Sequence, residues 1–170
     1  MAHLRHALPA RAQGRRLVAV HISARRPRQR WPAESFAALM RTLMARDDLF
    51  LLLLWAPGPA DDPRHPGDDQ KALAIRGFLD PGADYLPWPT DSLASLGGAL
   101  AACRLMVCAD GGAMHVAAGV GVPVVALFGD SPAQRWRPWG VRHEVVQAGS
   151  GDVASIAVAE VAAACNRVLG

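Results

Sequence analysis

Short apolar runs alternate with helix-forming segments along most of this chain, and this alternation is the feature that most constrains its fold. The clearest runs are Arg16–Ser23, Leu49–Trp55 and Pro123–Phe128, and none of them alternates apolar with polar residues. Strands that are apolar on both faces are typical of a parallel sheet covered by helices. The sequence therefore predicts an α/β fold, with an open parallel Rossmann-like sheet and helices on both faces.

The remaining elements complete a strand–helix order. Three further strands are predicted at Tyr85–Trp88, Leu105–Ala109 and His143–Gln147. Helices are predicted over residues 33–46, 70–79, 92–102, 113–118 and 155–169. In the first of these helices, apolar residues recur with the spacing of one helix face.

The chain has 170 residues and is 51% hydrophobic, which fits one domain with a sizeable core. No apolar run approaches the roughly 20 residues that span a bilayer. Residues 1–30 contain eight arginines and no acidic residue. We expect residues 1–15 to be a basic linker or a disordered leader before a domain at residues 16–170. Such a leader also suits nucleic acid or an anionic membrane surface, although we expect no nucleic-acid partner.

The richest candidate site follows the predicted strand Leu105–Ala109. Asp110 ends this strand, Gly111 and Gly112 turn the chain, and His115 lies in the first turn of the next helix. Ligands of open α/β sheets bind beyond the carboxyl ends of the strands. The first amide N–H groups of a helix suit a phosphate or a diphosphate, and His115 could donate to the same anion. An ordinary strand–helix turn, with Asp110 near the helix N-cap, is the alternative.

A second candidate site follows the first predicted strand. His21 and Ser23 lie at the edge of this strand. Four arginines follow them, at Arg25, Arg26, Arg28 and Arg30. Arginines that face the same cleft would complement a diphosphate, whereas a solvated basic loop is the alternative.

Two further loops are weaker candidates. The pairs Asp61–Asp62 and Asp68–Asp69 suit a divalent metal, a sugar hydroxyl, or turn and helix-cap roles. The loop around Trp136 and Trp139 suits a ligand clamp, a partner contact or a plain surface role. No histidine or cysteine has metal-site spacing, so we predict no metal and no cofactor, and we expect the three cysteines to be buried and reduced. Dinucleotide and P-loop signatures are absent from the sequence.

In order along the chain, these motifs resemble a known family. The order is H-x-S, then R-W-P, then a strand that ends in Trp, and then the block D-x-G-x-M-H-x-A-A-x-x-G-x-P-x-V-A-L-F-G. It is similar to the C-terminal half of family 9 glycosyltransferases, the lipopolysaccharide core heptosyltransferases. The match runs from about Arg16 to Gly140, and the block at Asp110–Gly129 is its specific part. The resemblance implies half of a GT-B fold and a nucleotide-sugar-binding domain at residues 16–170.

The resemblance also implies roles for the residues of the specific block. Asp110, Gly112 and His115 match the family's D-[ST]-G-x-x-H, which lines the diphosphate and the sugar of the donor. Gly111 and Met114 lie within the same motif. Family members transfer without an obligate metal, since the helix dipole and basic side chains stabilise the departing diphosphate.

Five other residues receive donor-binding roles from the resemblance. Ser23 matches a hydroxyl residue that follows the first strand of this half. Arg30 matches a basic residue before the Trp-Pro pair, and Arg28 is a second source of positive charge. Pro89 and Thr90 lie where the family cradles the nucleotide base.

Several positions depart from the family pattern. Gly111 replaces the usual Ser or Thr, which removes one hydroxyl donor. Gln29 stands where a lysine often touches phosphate, so Arg28 or Arg30 would have to supply the charge. Asp130 follows the Phe-Gly pair where many members have Pro, and Pro57–Gly58 lies where several have an acidic residue.

Length is the largest departure. Family enzymes have two halves, and their acceptor site and proposed catalytic carboxylate lie in the N-terminal half. We find no counterpart of that half in this sequence. We therefore expect no catalytic residue in this chain, a possible N-terminal half domain as its partner, and little or no transfer by the chain alone.

The function expected from the resemblance is donor binding for a glycosyltransferase that moves heptose from ADP-heptose to the lipopolysaccharide inner core. The lipopolysaccharide acceptor would bind through the other half, in the cytoplasm and peripheral to the inner membrane. Two alternatives stay open. The first is a stand-alone nucleotide-sugar or phosphate-binding module, or an inactive remnant. The second is an interaction protein whose Arg-rich leader binds nucleic acid or anionic lipid.

Overall fold

The computed structural model describes residues 2–62 and 66–170, and within them six strands form one parallel sheet. The strands are β1 (Arg16–His21), β2 (Leu49–Trp55), β3 (Tyr85–Pro89), β4 (Cys103–Ala109), β5 (Val124–Phe128) and β6 (His143–Gln147). Their spatial order is β3-β2-β1-β4-β5-β6, and every neighbouring pair is parallel.

Helices connect the strands. The α-helices of the described residues are α1 (Ala2–Ala7), α2 (Ala33–Met44), α3 (Asp69–Gly77), α4 (Leu93–Leu100), α5 (Gly112–Gly119), α6 (Ala133–Trp136) and α7 (Val158–Leu169). Short 3-10 turns lie at Ala10–Ala12, Pro27–Gln29 and Val153–Ser155. The predicted α/β class, with an open parallel sheet between helices, is confirmed.

Alternate residues of the central strands face two separate cores. In β1, Val18 and Val20 pack on the face that α2, α3 and α7 cover, whereas Leu17 and Ala19 pack on the face of α1, α4 and α5. All residues of β2 are buried. This burial on both faces explains why the sequence shows continuous apolar runs.

A reversal of strand order at the centre of the sheet opens a cleft. The chain runs outward from β1 through β2 to β3, and then returns to place β4 on the other side of β1. The helix after β1 covers one face of the sheet and the helix after β4 covers the other. Their connecting loops therefore diverge at the carboxyl ends of β1 and β4, which is where ligands of such sheets bind.

The predicted elements occur with ends shifted by at most three residues, and two helices were not predicted. The structure starts α5 at Gly112, so Asp110 and Gly111 form the whole connection from β4. Helix α6 lies in a segment predicted as a loop. It follows Pro132, whose fixed backbone angle suits a helix start.

The leader packs against the body of the domain. Leu4 and Ala12 are buried with the core under α4 and α5. Arg15 forms an ion pair with Asp84 at 2.6 Å. The described part of the leader contains α1 and a 3-10 turn, and its few apolar residues pack against the sheet layer. Residue 1 lies outside the described residues, and the role of this segment as a linker stays a prediction.

The three cysteines are buried and unpaired. Burial raises the pKa of Cys103 and of Cys165 to about 12, and it raises the pKa of Cys108 further, with Asp110 adding to the effect. All three thiols are therefore protonated and unreactive near neutral pH.

Close backbone packing at Gly129 joins three loops at the carboxyl edge of the sheet. A Cβ added to Gly129 would lie 2.8 Å from the carbonyl oxygen of Gly151 and 3.0 Å from that of Arg28. Backbone atoms cannot yield as a flexible side chain can. We predict that Gly129→Ala lowers the free energy of unfolding by about 1–3 kcal/mol, measured by urea denaturation.

Gly149→Ala is the matched control. A Cβ added at Gly149 meets no heavy atom within 4 Å, and the φ angle of this residue is not positive. Its free energy of unfolding should change by less than about 0.5 kcal/mol. Equal stability of Gly129→Ala and the wild-type chain would contradict the proposed close packing.

Candidate functional site

A large cleft lies at the carboxyl ends of β1, β2 and β4, where the strand order reverses. We call it the central cleft, and its volume is about 470 Å³. It is lined by His21, Ser23, Ala24, Arg25, Gln29, Ala56, Pro57, Pro66, Asp68, Thr90, Asp91, Ala109, Asp110, Gly111, Gly112 and Ala113. The two strand ends singled out in the sequence thus meet in one cleft.

Asp110 is held in place by two side chains from other loops. Gln29 Nε2 donates a hydrogen bond to Asp110 Oδ2 at 3.1 Å, and Ser131 Oγ donates to the same oxygen at 2.5 Å. No described residue hydrogen-bonds Oδ1, so this oxygen remains available to accept a ligand hydroxyl. The carboxylate is oriented before any ligand binds.

The N-terminus of α5 forms one wall of the central cleft. Gly112 and Ala113 are its first two residues, and their amide N–H groups have no acceptor within the helix. The helix dipole adds partial positive charge at this end. Gly111 has extended backbone with φ 161°, and a Cβ added there would meet no atom within 4 Å. Its position therefore has room for a side chain, and no turn requires glycine there.

Two hydroxyl side chains of the cleft also hold the backbone of β2's carboxyl end. Ser23 Oγ accepts a hydrogen bond from the amide of Ala56 at 2.9 Å, which leaves the proton of its own hydroxyl free to donate. Thr90 is buried, and its Oγ1 donates to the carbonyl oxygen of Trp55 at 3.2 Å. Ser23 can therefore donate to a ligand, whereas the donor of Thr90 is already engaged.

His21 is a buried, neutral member of the cleft. It is 7% exposed, and its Nδ1 is enclosed without a hydrogen-bond partner among the described residues. Desolvation, with a smaller effect of the positive charge on Lys71, lowers the pKa of His21 to about 4. The imidazole is therefore uncharged near neutral pH and acts as a hydrogen-bonding group rather than as a cation.

A shallower groove continues from the central cleft toward β3. We call it the proline groove, and it is lined by Pro57, Trp88, Pro89, Asp91 and Ser95. Its volume is about 370 Å³, and it shares Pro57 and Asp91 with the central cleft. The two proline rings and the indole of Trp88 give it an apolar surface that suits a flat ring.

Comparisons with known proteins identify the family of this chain. Residues 2–158 match the model of glycosyltransferase family 9 (heptosyltransferase). The chain belongs to this family. The resemblance seen in the sequence is therefore confirmed. Comparison with curated protein sequences gives no significant match.

Solved structures show the same fold. A family 9 glycosyl transferase from Veillonella parvula DSM 2008 is 21% identical, with a TM-score of 0.80 over 98% of this chain and 48% of that chain. ADP-heptose lps heptosyltransferase II from E. coli is 23% identical, with a TM-score of 0.80, and the match covers 98% of this chain and 49% of that chain. E. coli heptosyltransferase WaaC with ADP is 18% identical, with a TM-score of 0.74, and the match covers 98% of this chain and 48% of that chain. This family 9 chain has the fold of one GT-B half and spans about half the length of these structures.

The central cleft brings together only part of the predicted donor site. Ser23, Thr90, Asp110, Gly111 and Gly112 line it. Pro89 lies in the adjoining proline groove. This position is compatible with the base-binding role that the resemblance implies for it. The roles of all these residues in donor binding remain predictions.

Two residues of the family motif lie outside the cleft. Met114 has no exposed surface and packs into the core under α4 and α5. His115 is exposed on α5 and does not line the central cleft. An imidazole in the first turn of a helix need not face the ligand, because successive helical side chains point in different directions. The role of His115 stays a prediction that this placement does not support.

The two arginines favoured from the sequence do not line the central cleft. Arg28 is an exposed side chain 3.9 Å from the Oδ2 of Asp130. Arg30 donates to the carbonyl oxygen of Ala24 at 3.1 Å and lines a separate groove beside Lys71. Arg25 lines the central cleft instead.

Sequence reasoning missed the partners of Asp110. In the sequence, Gln29 marks only the loss of a lysine and Ser131 carries no signal, although both donate to Asp110. The sequence carries no local signal for these bonds, since the residues are 81 and 21 positions away from Asp110.

The weaker candidates have structural roles in part. Asp69 accepts hydrogen bonds from Trp55 Nε1 at 2.7 Å and from the amide of Gly58 at 3.0 Å, which fixes the loop after β2. The described residues contain no group of three His, Cys, Asp or Glu side chains that could hold a metal ion. Trp136, at the end of α6, and Trp139, in the loop that follows it, are exposed. No helix among the described residues is long and apolar enough to cross a membrane.

The buried histidine predicts a pH dependence of stability. The pKa of His21 falls from 6.5 to about 4 on folding, so between these values the unfolded chain binds a proton that the folded chain excludes. The free energy of unfolding should therefore fall as the pH is lowered through this range, by up to about 1.4 kcal/mol per pH unit. Urea denaturation between about pH 7 and pH 5 measures the slope.

His21→Gln supplies the comparison, because glutamine keeps a polar group of similar length and does not titrate. Its free energy of unfolding should depend less on pH over the same range. The same slope in the variant and in the wild-type chain would show that His21 titrates normally in the folded protein.

Proposed function

We propose that this chain is the donor-binding half of a heptosyltransferase that moves heptose from ADP-heptose to the lipopolysaccharide inner core. Membership of family 9 supports the reaction class. Similar structures include E. coli heptosyltransferase WaaC with ADP and with ADP-2-deoxy-2-fluoro heptose. The acceptor and the catalytic base would come from the other half of the enzyme.

One observation supports the proposal most directly. The central cleft lies at the reversal of strand order and combines the unpaired amides of Gly112 and Ala113 with an oriented carboxylate at Asp110. Amides at a helix N-terminus bind phosphate oxygens, and a carboxylate accepts sugar hydroxyls. These two kinds of group side by side suit a sugar joined to a diphosphate.

The adjoining grooves accommodate the parts of such a ligand in order. The nucleotide base would lie in the proline groove, between Pro57 and the Trp88–Pro89 edge. The diphosphate would lie at the start of α5, with Ser23 donating from the opposite side. The sugar would lie beside Asp110, whose Oδ1 accepts one of its hydroxyls.

In the reaction, the chain would act on the leaving group. Negative charge develops on the diphosphate as the bond to the sugar breaks, and the fixed amides of Gly112 and Ala113 stabilise it without reorganisation. Asp110 holds the sugar so that its reacting carbon faces the acceptor. The cleft residues described here bind and orient the donor, while proton removal from the acceptor hydroxyl belongs to the other half.

Calorimetric titration tests the donor-site proposal. The wild-type chain should bind ADP-heptose more tightly than ADP, because Asp110 adds a hydrogen bond to the sugar. In Asp110→Ala, affinity for ADP-heptose should fall by about tenfold or more, toward that for ADP. UDP-glucose is the competing donor, and it should bind more weakly than ADP-heptose.

Asp130→Ala is the matched control, because Asp130 is an exposed carboxylate near the cleft that does not line it. Its affinity for ADP-heptose should match that of the wild-type chain. Thermal melting of each variant separates lost binding from lost folding. No detectable binding of any nucleotide or nucleotide sugar by the folded wild-type chain would reject the proposed function.

A gain of affinity is expected at Gly111. Its extended backbone and the open space around its Cβ position allow a larger residue without strain. Gly111→Ser would add a hydroxyl donor at the start of α5, which should raise affinity for ADP by about threefold to tenfold. Gly111→Ala tests whether the hydroxyl matters, since it adds the Cβ alone. Equal affinity of the serine and alanine variants would show that the hydroxyl does not reach the diphosphate.

A further inference from the structure

The central cleft has an unfavourable charge balance for a diphosphate. Three carboxylates line it, those of Asp68, Asp91 and Asp110. A diphosphate is itself strongly negative, so it must meet positive charge close by if it is to bind beside these groups. The amides of α5 carry only partial charge. A full positive charge must therefore come from an arginine or lysine side chain near the cleft.

Most nearby basic side chains are engaged elsewhere. Lys71 donates from Nζ to the carbonyl oxygen of Ile22 at 3.0 Å, and the same nitrogen lies 4.9 Å from the centre of the Phe36 ring. Arg30 lines the groove on the side of Lys71, and Arg28 lies beside Asp130. None of these three side chains lines the central cleft.

Arg25 differs from these residues in two respects. Among the arginines and lysines of the described residues, it alone lines the central cleft. It is exposed, and among the described residues its guanidinium donates no hydrogen bond and forms no ion pair. A guanidinium can donate two parallel hydrogen bonds to one phosphate group.

We propose that Arg25 is the residue that binds the diphosphate of the donor, an inference that rests on the proposed function. Arg25 takes this role in place of Arg28 and Arg30. Arg30 has a positioning role, because its bond to the carbonyl oxygen of Ala24 fixes the residue directly before Arg25. Gln29 leaves the charge to Arg25, since its amide is neutral and is engaged with Asp110.

The experiment compares phosphate-containing ligands with a ligand that lacks phosphate. The probes are ADP, inorganic pyrophosphate and adenosine, titrated into the wild-type chain and into Arg25→Ala, Arg25→Lys and Arg26→Ala. Arg25→Ala should weaken the binding of ADP and of pyrophosphate by about tenfold or more, with no change for adenosine. Arg25→Lys should restore part of the loss, because lysine keeps the charge and loses the paired donors.

Arg26→Ala is the matched control, since Arg26 is the neighbouring exposed arginine and does not line the cleft. It should bind ADP as the wild-type chain does, within about twofold. A purely structural role for Arg25 would lower adenosine affinity and thermal stability as well, and that result would overturn the proposal. Arg28→Ala and Arg30→Ala complete the set, and a loss of ADP binding in Arg28→Ala with none in Arg25→Ala would assign the charge to Arg28.

Failure of this inference is distinguishable from failure of the proposed function. If ADP binds equally to the wild-type chain and to Arg25→Ala, only the assignment of Arg25 is wrong. If pyrophosphate binds in an Arg25-dependent way and neither ADP nor ADP-heptose binds more tightly than pyrophosphate, Arg25 is supported and nucleotide-sugar recognition is rejected. If the folded wild-type chain binds neither ADP nor pyrophosphate, both proposals are rejected.

Discussion

The pairing of β4 with β1 is the constraint on which the rest of this structure depends. Because the chain returns across the sheet to make this pair, the helices after β1 and β4 cover opposite faces and their loops diverge. The divergence opens the central cleft, which the first residues of α5 and the loop after β1 both line. The pairing shifts register once, between Leu17 and Val18, and buried side chains pack along it on both faces of the sheet. Packing in the core therefore fixes the position of a site at the surface.

The fold and the place of the site could be predicted because their signals are local. The runs at Leu17–Val20 and Leu49–Trp55 are continuous in the sequence, and burial on both faces requires such continuity. The end of a parallel strand then indicates where to look for ligand-binding residues. Local sequence signals do not predict which distant loops come together in the folded chain. Gln29 and Ser131 meet at Asp110 only because three loops converge at the carboxyl edge, close to the backbone contact of Gly129 with Gly151.

The same limit explains which arginines were chosen from the sequence. The sequence alone gives no reason to prefer one of the four arginines within residues 25–30 as a phosphate ligand. The family pattern favours those nearest the Trp-Pro pair. The structure separates them by their neighbours, because Arg28 lies beside Asp130, Arg30 holds Ala24, and Arg25 alone of these faces the central cleft. Met114 shows the reverse case, in which a motif position is occupied by a core residue. Motif spacing identifies a segment, and packing decides which of its side chains can touch a ligand.

The neutral groups around Asp110 are consistent with a division of roles in the cleft. The side chain at position 29 is a neutral amide that donates to Asp110 and brings no positive charge of its own. A neutral amide orients the carboxylate and leaves both its charge and its second oxygen available to a sugar hydroxyl. The positive charge for a diphosphate must then come from a side chain that does not reach Asp110. An exposed arginine at the mouth of the cleft meets this requirement, because it stays hydrated until a ligand arrives and carries no desolvation penalty in the empty protein.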